Sequence, residues 1–425
     1  MLWSKLVIDV ASVALIAAPW DALAVSLKKP YAAPAWLLAW WRHVAPKNAE
    51  LRIVAVYDDA KLIGLAPFYL DGKTLRPLGA GICVEIEPLS VEGRESEVAE
   101  RTVAEFSAAR PRPQAMTLEG VKEFSPWPAL LMRGWPGGRT AMRAAGKTFP
   151  APLLNLAKKT AENWHHGRGG NSRELARCRR RLKELGAVVE LVSEGDFATA
   201  LRSFVELHAA RWSAKGGSGV LQNGVEEMLA DAAKAMTSDG RMRLYALKVD
   251  GKTIASAIFV AAGGEISYWL GGHDDAWNNR SPSKVLVAEA IEDGIKRGDC
   301  VLDLGPGGQS YKYEFADGEN TLNWMTIIPP GRAQVIALGR RFASGCRRRV
   351  QHAISSLLAT FLEWLLRSAT TASTARSMPR LRSIGFMPAA TLLAPSLTMA
   401  WASTVAVVVP SPARSLVLLA TSRTI

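Results

Sequence analysis

Cysteine is scarce in this chain. Four residues among 425, Cys83, Cys178, Cys300 and Cys346, stand far apart, with no CxxC pair and no histidine beside them at metal-ligand spacing. That pattern excludes a disulfide framework and a zinc site, and it fits a reducing, cytoplasmic compartment. Acidic residues are nearly missing from one end. Residues 331–425 hold twelve Arg, no Lys or Asp, and a single acid, Glu363. This segment carries nearly all of the net charge of +13, so residues 1–330 are close to neutral and the basic pI says nothing about their partners. From Ala369 to Ile425 the chain also lacks Lys, Asp, Glu, Asn, Tyr and His, a bias unlike a packed domain or an ordinary linker. A disordered tail is the expectation. Ser383 to Ala413 carries no charge, so a membrane segment is the alternative, but Pro388, Pro395 and Pro410 interrupt it. A frame-shifted end is a third reading.

What remains is globular in character: 48% hydrophobic and 21% charged residues, over a length that holds two or three domains. The start resembles a secretory signal, with Lys5 ahead of an apolar run and Ala22-Leu23-Ala24 behind it. Asp9 interrupts that run and Pro19-Trp20-Asp21 is a poor approach to a cleavage site, so a first strand near Leu6–Val10 and a short helix are expected instead. An internal repeat is visible. Residues 52–68 lie over 243–259 without a gap, with seven of seventeen pairs identical. Each copy reads as an apolar strand, an acidic turn (Asp58-Asp59, Asp250-Gly251), a Lys and a second apolar strand, which is a β-hairpin. Hairpins share this grammar, but a duplicated domain explains the identity better.

Helical periodicity falls at Ala35–Val44 before the first hairpin and at Phe197–Trp212 and Val225–Ser238 before the second. After the second come a strand (Glu265–Leu270), a helix (Ser283–Arg297) capped by Ser281 or Ser283, a strand (Cys300–Leu304) and a last strand near Leu322–Ile328. The expected fold is α/β: tandem domains with mixed sheets flanked by helices. Its parts are an N-terminal half (1–150), a C-terminal catalytic half (151–330) and the Arg-rich tail (331–425), with a Pro/Gly/Lys linker around 137–159.

Four constellations bear chemistry. Gly271-Gly272-His273-Asp274, followed by Arg280, Ser281, Ser283 and Lys284 at a helix start, suits a diphosphate, because a helix N-terminus offers unpaired N–H groups and the positive end of a dipole. The glycines let a ligand approach the strand. A capped helix beginning at Pro282 is the plainer alternative. Asp303-Leu304-Gly305-Pro306-Gly307-Gly308-Gln309, with Tyr311, Lys312 and Tyr313 behind it, looks like the glycine loop of S-adenosylmethionine-dependent methyltransferases. A doubly wound sheet needs several further strands after such a loop, and too few residues remain here. His208, Arg211 and Trp212 share a helix face. Arg173–Lys183 places Arg177, Arg180 and Arg181 on one side of another helix, a solvated face or a phosphate surface.

In their order, Arg177–Leu182, His208 to Trp212, the 243–259 hairpin, Tyr268 to Gly272, Ser281-Pro282 and Asp303 with Tyr311-Lys312 resemble GNAT-superfamily proteins of the CelD and BioF-like type, relatives of the FemAB transferases. Pro34 to Trp41 and Leu62 to Pro67 resemble the same family's N-terminal portion, so the likeness spans about 15–330. The resemblance implies a GNAT fold in which acetyl-CoA or a longer acyl-CoA lies between two splayed parallel strands, here Glu265–Gly271 and Cys300–Leu304. Its diphosphate would sit near Gly271, Gly272, Arg280, Ser281, Ser283 and Lys284, although the usual glycine-rich loop is absent. An acceptor amine would attack the acyl carbon, with Asp303 or His273 as base, Tyr311 or Tyr313 as acid, and Lys312, Arg211 and Trp212 holding the acceptor. No metal is implied.

Three functions follow. The first is an N-acyltransferase acting on an amino sugar or similar amine in polysaccharide or envelope biosynthesis. The second is a FemAB-like aminoacyltransferase drawing on charged tRNA, with the Arg173–Lys183 helix as its phosphate surface. The third is a non-catalytic binding protein of a polysaccharide biosynthesis assembly.

Overall fold

The computed structural model describes residues 1–136, 138–165, 169–213, 219–221, 223–339, 351, 355 and 358–360, the side chains of 145, 169–171, 212 and 213 excepted. Met1–Val350 form one compact unit and Gln351–Ile425 a second, and every element named below belongs to the first. The 369–425 tail lies outside the described residues. No helix among the described residues is long and apolar enough to cross a membrane.

The first half runs β1 (Leu2–Val7), α1 (Val10–Ala14), α2 (Ala17–Ser26), α3 (Pro34–His43), β2 (Glu50–Asp58), β3 (Lys61–Asp71), β4 (Thr74–Pro77), β5 (Leu89–Ser90), α4 (Glu95–Ala108), β6 (Ala115–Lys122), α5 (Trp127–Arg133) and β7 (Met142–Asn155). The second runs α6 (Gly169–Lys183), β8 (Val188–Leu191), α7 (Phe197–Ser213), α8 (Val225–Met236), β9 (Met242–Val249), β10 (Lys252–Ala262), β11 (Glu265–His273), α9 (Pro282–Arg297), β12 (Val301–Asp303), α10 (Ser310–Tyr313) and β13 (Gly318–Ile328).

The duplication extends to backbone detail. At the offset that lays residue 52 on 243, β3 coincides with β10 end for end. Both hairpins turn on an Asp in the left-handed region, Asp59 (φ 51°) and Asp250 (φ 48°), a conformation that Asp tolerates better than most residues. Both also carry one extra residue in the second strand, Ile63 and Ile254, a shared bulge.

One mixed sheet holds both halves, in the order β1-β2-β3-β4-β6-β13-β7-β12-β11-β10-β9-β8. Read from either edge, the order matches position for position, but the two central strands are exchanged. β7 ends the first half yet pairs with β12, β13 ends the second yet pairs with β6, and the two pair with each other along Gly318–Ile328. The expected linker is therefore largely the long strand β7. Gly146, Pro150 and Pro152 hid it, since proline inside a central strand forfeits ladder bonds. Here the prolines turn toward Leu304 and Gly307, which use only their carbonyls: Leu304 N donates to Pro152 O at 2.9 Å and Gly307 N to Pro150 O at 2.7 Å.

Helices α2 and α3 of one half and α7 and α8 of the other share a single core on one face of the sheet. Its seam is aromatic: Trp36 and Trp269 cross edge to face at 5.7 Å, and Trp269 Nε1 donates to Ile82 O at 2.9 Å. Each half covers the opposite face with its own helices, α4 and α5 on the first and α6 and α9 on the second.

Candidate active site

β11 and β12 run side by side and parallel, paired at Glu265↔Val301, Ile266↔Leu302 and Ser267↔Asp303. There the ladder stops, although β11 continues to His273. One side chain accounts for this. Val301 N reaches Gly264 O, and parallel rungs repeat every second residue, so Gly305 N would next meet Tyr268 O. Instead Gly305 N–H donates to Asp303 Oδ1 at 2.7 Å. The chain then turns onto β7 through Gly305 (φ 76°) and Gly307 (φ 108°), which only glycine adopts without strain. At Gly305 the two chains are still close, since a Cβ there would lie 3.2 Å from Tyr268 O; beyond it the chain follows β7 while β11 runs on, and this parting of the strands, with Asp303 at the last rung, is the slot.

Asp303 is 3% exposed, and burial, reinforced by the carboxyls of Glu85 and Glu265, pushes its proton affinity up to about 6. Lys312, 5% exposed on α10, donates from Nζ to Gly305 O at 2.9 Å and Pro306 O at 2.8 Å, pinning the slot's far wall. Burial lowers its ammonium to about 8. Midway along β11 the Tyr268 phenol neighbours that of Tyr311, and burial raises both. Tyr313 lies apart, half exposed and bonded to Glu319.

His273 belongs to a separate cluster at the other end of β11. Arg211 Nη1 and Ser283 Oγ both lie 2.7 Å from its Nδ1. A guanidinium only donates, so Nδ1 is the acceptor and Nε2 carries the proton toward Asn278 Oδ1 at 2.5 Å. Burial, helped by Arg211, keeps the imidazole below the ordinary histidine value. Its lone pair is already engaged. With roughly 3.3 Å per strand residue, His273 stands about 20 Å from Ser267 and Asp303, so the two expected bases do not meet at one atom. Arg211→Gln should raise the His273 pKa, because a positive neighbour disfavours imidazolium. An NMR titration of the ring protons that shows no upward move contradicts this clamp.

Gly271 and Gly272 do not leave open backbone. A Cβ on Gly271 would lie 2.4 Å from the Tyr268 hydroxyl, and one on Gly272 would lie 2.8 Å from His208 N, so this chain itself fills both spaces. At the start of α9, Ser281 is left-handed (φ 49°) and makes no side-chain cap bond, while Arg280 lies over the Trp277 ring. Lys284 is held by Glu314 at 2.8 Å and Glu174 at 3.4 Å. Two acids thus crowd the lysine expected to take a diphosphate. Arg177, Arg180 and Arg181 are exposed on α6. Trp212 ends α7, but its side chain lies outside the described residues.

Sequence reasoning missed the groups of the first half that face Asp303. Glu85, Lys29, Tyr31 and Lys122 stand in no motif, and only the fold brings them to the slot.

The acetyltransferase (GNAT) domain family matches residues 170–313. This stretch is similar to a GNAT domain. Among solved structures, FemX is similar over 73% of this chain and 95% of its own, at 12% identity and a TM-score of 0.52. The C-terminal domain of a lysylphosphatidylglycerol synthetase from Agrobacterium fabrum covers 76% of this chain and 95% of its own, at 12% identity and a TM-score of 0.51. These likenesses carry the fold alone. No curated protein matches the chain. Within the matched stretch, β11 and β12 are the parallel pair and α9 is the helix that follows the first of them.

Proposed function

We propose that the chain is a GNAT-type N-acyltransferase whose C-terminal half, about 151–330, performs the transfer, with the 1–150 half as its support. The observation that carries this reading is the ladder ending at Ser267↔Asp303. A parallel ladder that ends while one strand runs on leaves backbone groups of the longer strand able to pair with an extended donor chain, which neither a simple binding sheet nor a doubly wound methyltransferase sheet requires. An acceptor amine attacks the donor's acyl carbon. The C–N bond forms, the bond to the sulfur or oxygen of the donor breaks, Asp303 takes the amine proton and Tyr311 returns one to the leaving atom. Lys312, buried against the slot, orients the acceptor or stabilises the oxyanion. Arg211, held by His273, presents charge at the outer end.

The acyl-CoA reading rests on the slot and on the uncapped first turn of α9; the CelD and BioF-like resemblance adds an amino-sugar acceptor, polysaccharide biosynthesis proteins as partners and a cytoplasmic setting. A second reading has its own support. Glu174 and Glu314 beside Lys284 disfavour a diphosphate there, while exposed Arg177, Arg180 and Arg181 on the same domain suit the backbone of a charged tRNA donor.

A thermal-shift screen against acetyl-CoA, longer acyl-CoAs, S-adenosylmethionine and charged tRNA separates these. Stabilisation grows with the logarithm of ligand saturation, so a ligand at about 100 times its Kd adds about 2.7 kcal/mol. A shift with a thioester supports the first reading. Binding to charged tRNA that weakens steeply with salt supports the second, and silence from every donor removes the enzyme reading.

A further inference from the structure

The first half repeats the slot and then closes it. β4 and β6 are parallel and pair only at Thr74↔Ala115 and Leu75↔Met116, the counterpart of β11 and β12. Beyond that point the chain's own residues 79–87 occupy the gap. Ile86 bridges to Glu119, Gly81 N donates to Glu119 Oε2 at 3.0 Å, and Gly120 (φ 66°) is bare because a Cβ there would lie 2.1 Å from Val84 O. No donor fits where the backbone already lies. The same segment carries Glu85 across to the second half.

There, carboxyl oxygens of Glu85, Glu265 and Asp303 lie within 4.8 Å of one another. Lys29 bonds to both Glu85 and Glu87, and Lys122 bridges Glu85 at 3.1 Å and Glu265 at 3.4 Å. Three carboxyls thus share two ammonium groups, and Asp303 stands beside them as a fourth. Asp303 makes no ion pair among the described residues; its ordered partner is the Gly305 N–H. The remaining neighbours are the Tyr31 hydroxyl, bonded to Ser267 Oγ at 2.9 Å, the buried Cys83 thiol beside Tyr31, and Lys312. The surplus of negative charge therefore falls on the carboxyl of this group that makes no ion pair.

We infer that Glu85, delivered by the segment that plugs the first half's slot, is a positioning residue that sets the protonation of Asp303 at the apex of the second half's slot. This rests on the reading of Asp303 as the base. Burial alone would raise Glu85, but Lys29 and Lys122 more than offset it and keep Glu85 ionised, so it acts on Asp303 as a fixed negative charge. Such a charge makes Asp303 a better proton acceptor and holds it near the pH at which it must work.

The test is infrared difference titration of the full chain, following the carboxylic-acid band that Asp303→Asn removes. In the wild type this band should titrate near pH 6, and Glu85→Gln should move it down by about one pH unit, while Glu85→Asp keeps it close to the wild-type midpoint. A wild-type band at the ordinary aspartate value of about 3.9 overturns the inference whether or not Glu85→Gln folds, as does a band that Glu85→Gln leaves in place. Acyl transfer measured alongside keeps the two ideas apart. Asp303→Asn with wild-type turnover overturns the base assignment itself, whereas lost turnover with an unmoved band overturns only the role of Glu85.

Discussion

Asp303→Asn is expected to lower acyl transfer by about 10²- to 10⁴-fold, the usual loss when a general base is removed, while donor binding stays intact because the amide oxygen still accepts the Gly305 N–H. The same change should make the protein more stable at neutral pH. The sign follows from linkage. The folded carboxyl holds its proton up to about 6, above its unfolded value, so the folded state is favoured by protonation at low pH. That advantage is lost as pH rises from about 4 to about 6, and at pH 7 the buried anion costs on the order of 2–3 kcal/mol. Asparagine carries no such charge. Chemical denaturation of both proteins at pH 4 and pH 7.5 checks this: the variant's relative stability should grow between the two, and a constant difference contradicts a strained carboxylate. A site that loses stability to hold its base is the common trade-off of active sites.

The second large effect concerns the seam. Trp269→Ala removes a ring that packs on Trp36 and Phe204 and donates to Ile82 O, so it empties a cavity in the core shared by both halves. The expected loss is about 3–5 kcal/mol, typical of a buried Trp truncated to Ala. Trp269 also forms the bulge in β11 opposite Ile258 and Phe259, two residues beyond the last rung to β12. Transfer should therefore fall even in the fraction that remains folded, because the strand that lines the slot loses its register. A denaturation curve shifted by less than 1 kcal/mol would show that the two halves pack independently.

Much of the fold was legible because it is local. The alternation of the two hairpins, the acidic turns, the helical periods before them and the order of elements after the second all depend on neighbours a few residues apart. The repeat between 52–68 and 243–259 carries through to the same bulge and the same left-handed Asp, since both are responses to sequence within one hairpin. The residues proposed for the site are local as well. Asp303 stands where a strand meets a glycine turn, and Tyr311 and Lys312 follow it.

What the sequence by itself determined was the class of fold and its duplication. The tertiary structure alone decided the rest. It turned a Pro- and Gly-bearing linker into a central strand, because the other half supplies the pairing that the linker lacks by itself. It separated His273 from Asp303 along β11, because a strand carries its residues apart at a fixed rise. It brought Glu85 to Asp303 across a long stretch of chain, because two exchanged strands close the halves into one sheet, and no local pattern of residues encodes a contact made by that closure.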